Sequence, residues 1–301
     1  MQWRKRDRSS GVTDAWSQVM PTHLALAAWC NLDDDRGLSE RRSGFVWIAG
    51  VATAVLLAGM SLGGLVWPRA YAGEAASWRV QALAQDWFDL AIAAPVLAIA
   101  ALRGRTGSRA ARLVQAGALL YALYTAVIYA FAVHLNPLFL IYCAALGLSA
   151  FGLIAMAPLR AELTRRWFDA RVPSRLVGGL LVGVGAAFGL LWLAQLAPAL
   201  LGGPPPVWLT ETGLLTNPIH VLDLSFILPL HVIGGVLLWR RSDLGYALAP
   251  VLLAFGAMMA ASIGFMTAWT TPGGWPVVAA MLALAAVELA LLVRVLRSLR
   301  G

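Results

Sequence analysis

Eight runs of about twenty apolar residues, at roughly 45–67, 84–102, 113–133, 137–157, 176–197, 219–239, 246–269 and 275–296, leave this chain few ways to fold. Twenty residues at 1.5 Å each cross a hydrocarbon layer of about 30 Å. No water is present in that layer to satisfy backbone N–H and C=O groups, so each run has to satisfy its own as an α-helix. The predicted class is therefore all-α, a polytopic membrane protein of eight transmembrane helices. Composition agrees: 60% of the residues are hydrophobic and 13% charged, against roughly 25% charged in a soluble domain.

The net charge of +8 does not make this a nucleic-acid binder, because the arginines sit in short connections between apolar runs instead of forming one basic face. An even number of spans puts both termini on one side. With that side inside, the basic residues at 4–8, 36–42, 103–112, 160–175, 240–241 and 294–300 are cytoplasmic, and Arg69 and Arg79 alone fall outside. The positive-inside rule selects this orientation in a bacterial inner membrane. The first 43 residues are too polar and too long to be a cleaved signal peptide. They read as a disordered or loosely attached cytoplasmic arm; a short interfacial helix at 14–30 is the alternative, and Pro21 interrupts its pattern. Cys30 and Cys143 support neither a disulfide nor a thiolate metal site.

A phrase occurs twice. Asp-Leu-x4-Pro stands at Asp89-Leu90…Pro95 and again at Asp223-Leu224…Pro229, the acid and the proline both displaced by 134 residues. Each half also follows one loop plan: long outer connections at 68–83 and 198–218, tight outer turns at 134–136 and 270–274. Pro68 and Pro198 are expected to end the first helix of each half, and Pro137 and Pro276 to open the last. Four spans per half give both repeats the same direction, with a pseudo-twofold axis along the membrane normal and room for a cavity between them. The expected division is an arm at 1–43, a repeat at 44–158, a basic linker at 159–175 and a repeat at 176–301.

An ionisable group inside a membrane span is costly and needs a partner or a function. Aligning the repeats sets Asp86 opposite His220, so the fuller pattern is Asp/His-x-x-Asp-Leu-x4-Pro. Capping is the plain explanation for acids near a helix start. Asn217 and Pro218 already form the start of the sixth span, however, which leaves Asp223 in its second turn, roughly 6 Å inside. Asp86, Asp89, His134, Asn136, Asn217, His220 and Asp223 are predicted to share one outward pocket, with Tyr124 and Tyr129 beneath His134 and with His231 deeper on the face of His220. Pro95 and Pro229 should kink their helices and free the carbonyls of Ala91 and Ser225. Glu288 is one more acid in an apolar run and wants a neutralising partner. No zinc motif, paired haem histidines or nucleotide-binding loop is present in the sequence, and neither metal nor cofactor is expected.

The stretches Gln85-Asp86-Trp87-Phe88-Asp89-Leu90, Tyr129 to Phe139 and Thr216 to Leu224 resemble those of an uncharacterised family of bacterial multispanning inner-membrane proteins. The resemblance covers roughly residues 45–270, implies an inner-membrane location and carries no activity. Three functions fit the residues. A carrier or channel would bind a small molecule or ion and couple it to protons through Asp89 and Asp223; a membrane enzyme would use the same acids with His134 or His220 on a lipid or isoprenoid; a sensor or assembly factor would only bind. The expected partners are membrane lipid and a small ligand.

Overall fold

The chain divides into two compact units, Met1–Ser43 and Gly44–Gly301, and the spans belong to the second. The computed structural model describes residues 35–156, 165–169 and 171–300, with side chains from residue 44 onward. The arm up to residue 34, with the stretch 14–30 and Cys30, and part of the basic linker lie outside the described residues.

Eight described helices are long and apolar enough to cross a membrane, so the protein is an all-α, multi-pass integral membrane protein. They are α1 (Gly44–Val66, the apolar part of a helix beginning at Asp35), α2 (Ala76–Arg105), α3 (Arg109–Ala132), α4 (Phe139–Met156), α5 (Ser174–Leu200), α7 (Pro218–Trp239), α8 (Asp243–Thr270) and α9 (Trp275–Leu296). A short helix, α6 (Val207–Thr212), lies in the connection from α5 to α7.

Local chemistry sets most of the ends. Ser108, Asn217 and Ser242 cap α3, α7 and α8, each side-chain oxygen accepting a backbone N–H of the first turn. Proline occupies the first turn of α7 and α9, where the missing donor costs nothing. Two expectations need correction. α2 begins at Ala76, not near residue 84, because Ser77, Arg79, Gln81 and Gln85 hide its first turns from a hydropathy reading. Ser77 donates to the Glu211 carbonyl at 2.9 Å and Gln81 to the Ser77 carbonyl at 3.2 Å, while the Trp78 indole beside them donates to the Ala132 carbonyl at 2.8 Å. Pro198 does not end α5, which runs on to Leu200; the turn closes through Leu201 N–H to the Ala197 carbonyl and Gly203 N–H to the Pro198 carbonyl.

Helices α3 and α8 form the centre: 67% and 61% of their most apolar stretches are buried, against 22% for α5 and 28% for α4 and α9. α3 packs on α2, α4 and α8, and α8 packs on α7, α9 and α3, so each does what its counterpart four spans away does. Two crossings are close enough to require glycine. A Cβ on Gly117 of α3 would stand 2.7 Å from the Val251 carbonyl of α8, and a Cβ on Gly235 of α7 would stand 2.6 Å from the Gly178 carbonyl of α5. The outer faces carry Phe131, Leu140 and Leu190 into the surroundings, which suits hydrocarbon.

Both copies of the repeated phrase fold alike. A single π-helical turn covers Asp89–Ala93 in α2 and Asp223–Ile227 in α7. The cause is the proline that follows: Pro95 and Pro229 have no N–H for the carbonyls of Ala91 and Ser225, and the helix relaxes by one residue. The Ala94 N–H then reaches back to the Asp89 carbonyl, and the Leu228 N–H to the Asp223 carbonyl.

Candidate functional site

Each of the three aspartates named from the sequence is held by a tyrosine of α3. Asp89 Oδ1 accepts the Tyr121 hydroxyl at 2.7 Å, Asp223 Oδ1 accepts that of Tyr124 at 3.1 Å, and Asp86 Oδ1 accepts that of Tyr129 at 2.9 Å. The acids of the two repeated phrases are therefore bound three residues apart on one helix, which sits between them.

The rest of each shell differs. The buried Asp86 also takes the Tyr71 hydroxyl at 2.6 Å. Burial, then the Asp86 charge, hold the Tyr71 phenol protonated, well above its usual range, so it serves as a donor. Asp89 is fully buried; its Oδ1 takes Gln85 Nε2 at 2.8 Å as well, while Oδ2 has no partner. Gln85 spends its other N–H on the Tyr121 hydroxyl at 2.6 Å, and its Oε1 accepts from Ser262 of α8 at 2.9 Å. Asp223 is half-buried and takes the indole N–H of Trp192, from α5, at 2.8 Å on Oδ2.

Gln85, Tyr121, Tyr124, Trp192, Asp223 and Ser262 border a cavity of about 230 Å³ inside the bundle. Gln85, Tyr121, Tyr124, Asp223, His231 and Glu288 give it polar points, and the remainder is mainly aromatic, aliphatic and methionine side chains, the usual make-up of a small-molecule site. Among the sequence candidates, Asp223 and His231 line this cavity directly; Asp89 reaches it through Gln85 and Tyr121. His231 holds the Ile227 carbonyl, inside the second π turn, through Nδ1 at 2.7 Å. A carbonyl only accepts, so Nδ1 carries the proton and Nε2 is the acceptor.

The other candidates stand elsewhere. His134 is exposed and pairs with Glu74 at 3.1 Å, its backbone N–H also donating to Glu74 at 2.7 Å. Asn136 Oδ1 accepts the Leu138 N–H at 2.8 Å, and Asn217 caps α7; both have local backbone work. His220 is buried between the rings of Trp192 and Trp208, at 4.5 and 4.9 Å between centroids. Sequence reasoning missed Gln85, Tyr121, Trp192 and Ser262. Gln85 carried a signal, standing one turn before Asp89; Trp192 and Ser262 carried none, since only packing brings α5 and α8 to the acids.

Glu288 is the strangest member. It is 1% exposed, it lines the cavity against Gly256 of α8, and neither carboxylate oxygen has a hydrogen-bond partner. No described group of three or more His, Cys, Asp or Glu side chains is placed to hold a metal ion. No family model, no curated protein and no solved structure matches the chain.

Proposed function

We propose that the chain is a carrier of the bacterial cytoplasmic membrane, built from two parallel four-helix repeats with both termini in the cytoplasm, that binds a small molecule in the central cavity and exchanges it with a proton. The observation that carries this reading is the convergence of both repeated acids on two tyrosines of α3, Tyr121 and Tyr124, which both line one cavity. Matched π turns and matched packing of α3 and α8 support the repeats. The arginines at one end of the bundle support the orientation; Arg105 lies over Trp47 at 4.7 Å and Arg109 over Trp167 at 5.6 Å. Reporter fusions at residues 104–110 should label as cytoplasmic, and an external label there would reverse the topology.

Asp223 is the proton-exchanging group, since it alone of the repeated acids borders the cavity directly. The titratable groups facing it are Tyr124 from α3, His220 and His231 on its own helix, and Glu288 across the cavity, with Asp89 behind Tyr121. An acid in such a place holds either a proton or a ligand. Proteoliposomes loaded with a pH-sensitive dye test this when challenged in turn with choline, 3,3-dimethylbutan-1-ol and benzoate. One of the three should move protons through the parent protein and none through Asp223→Asn, which keeps the volume and loses the charge. Silence with all three, or equal movement in the variant, rejects the proposal.

A further inference from the structure

We infer that the cavity takes a small substituted ammonium cation, with Glu288 as its principal counter-charge. The assignment rests on reading the cavity as a ligand site.

The first argument is a census of charge and hydrogen-bonding capacity. No lysine or arginine lines the cavity, whereas Asp223 and Glu288 both do. Most of its donors are already committed: Tyr121 to Asp89, Tyr124 and Trp192 to Asp223, Tyr129 to Asp86, Gln85 to Asp89 and Tyr121, and Ser262 to Gln85, which leaves the neutral Thr125 hydroxyl and one N–H of Gln81. Acceptors remain free, namely both oxygens of Glu288 and, by the tautomer its Nδ1 contact imposes, Nε2 of His231. An anion would meet two acids and no fixed positive charge; a cation finds an unpaired carboxylate.

A buried carboxylate with no partner is among the most expensive groups a protein can hold. Tyrosine and tryptophan donors hold Asp223, which exchanges the proton and does not need the ligand as a hydrogen-bond partner. Glu288 has no such donor, and Gly256 removes the side chain that would otherwise crowd it. The acid borders the cavity and is satisfied by nothing that is already present.

The rest of the wall selects the kind of cation. Hard metal ions want several oxygen ligands, and here the neighbours are Phe188, Trp192 and Phe255 with Met259, Met266 and Met281. Aromatic faces attract a cation whose charge is spread over alkyl groups, and methionines adapt to its apolar body. The volume of about 230 Å³ suits a small amine. The exchange is balanced: one monovalent ammonium enters beside Glu288 as one proton leaves Asp223, so the two-acid cavity keeps its net charge and no redox change occurs.

Calorimetry on the full-length protein in lipid nanodiscs tests the assignment with choline and its neutral carbon isostere, 3,3-dimethylbutan-1-ol. Choline should bind saturably and at least tenfold more tightly than the isostere. Glu288→Gln should remove at least that tenfold preference and leave the isostere unchanged. If Glu288→Gln does not fold, Gly256→Ala, whose Cβ would stand 2.5 and 2.7 Å from the two carboxylate oxygens and displace them, should weaken choline binding at least tenfold in its place. Equal affinity for the two probes, or choline binding indifferent to both substitutions, overturns the cation assignment. Proton movement driven by benzoate or the alcohol, and not by choline, would overturn it while leaving the carrier reading intact; proton silence with all three would remove both.

Discussion

Gly117→Leu should be the most damaging substitution in the membrane core, lowering stability by about 1–3 kcal/mol or more and leaving little monodisperse protein after extraction. A Cβ at this position would meet the Val251 carbonyl at 2.7 Å, the Phe255 N at 3.1 Å and the Ala254 Cβ at 2.5 Å. These obstacles are mostly backbone, so no rotamer change makes room and α3 has to move away from α8. That movement would break the central contact of the bundle and pull Tyr121 and Tyr124 from their acids. Gly147→Leu is the control: nothing lies within 4 Å of its would-be Cβ, and the new side chain should be silent. Thermal unfolding in detergent, followed by tryptophan fluorescence, compares the two. Equal midpoints would mean that α3 and α8 are not held in close contact.

Asp89→Leu should cost nearly as much, for a different reason. The leucine removes the acceptor that Tyr121 and Gln85 share, stranding two donors at a loss of about 1–3 kcal/mol each. Asp89→Asn keeps an oxygen in the place of Oδ1 and should recover most of the stability. Unfolding curves of both variants separate acceptor from charge: if asparagine is as damaging as leucine, the negative charge and not the hydrogen-bond acceptor is what the buried network needs.

The spans were legible because hydrophobic runs in lipid have one solution. The last, 275–296, matches α9 residue for residue. The start of α2 was not, since Arg79, Gln81 and Gln85 give it the composition of a loop. The repeated phrase pointed correctly to a shared local geometry, and proline chemistry explains why, but it foretold a kink where a π turn formed. Composition of the site was the least legible part. Gln85 and Ser262 are 177 residues apart in the chain, and no periodicity connects them. His134 looked like a neighbour of the acids from its place at a helix end, yet Glu74, from the preceding connection, takes it. Glu288 was visible as an anomaly, an acid without a partner, and the structure leaves it so.

Each π turn packs one residue more than an α-helical turn does. Every side chain beyond it is rotated by about 100° from where an unbroken helix would put it. In α2 and α7 the residues before the aspartate and those after the proline consequently belong to two different angular phases. A helical wheel drawn through either whole span superimposes faces that do not coincide in space. Any alignment of this chain that slides one residue across 89–93 or 223–227 assigns the downstream half of that helix to the wrong neighbours, although not a single apolar residue has changed.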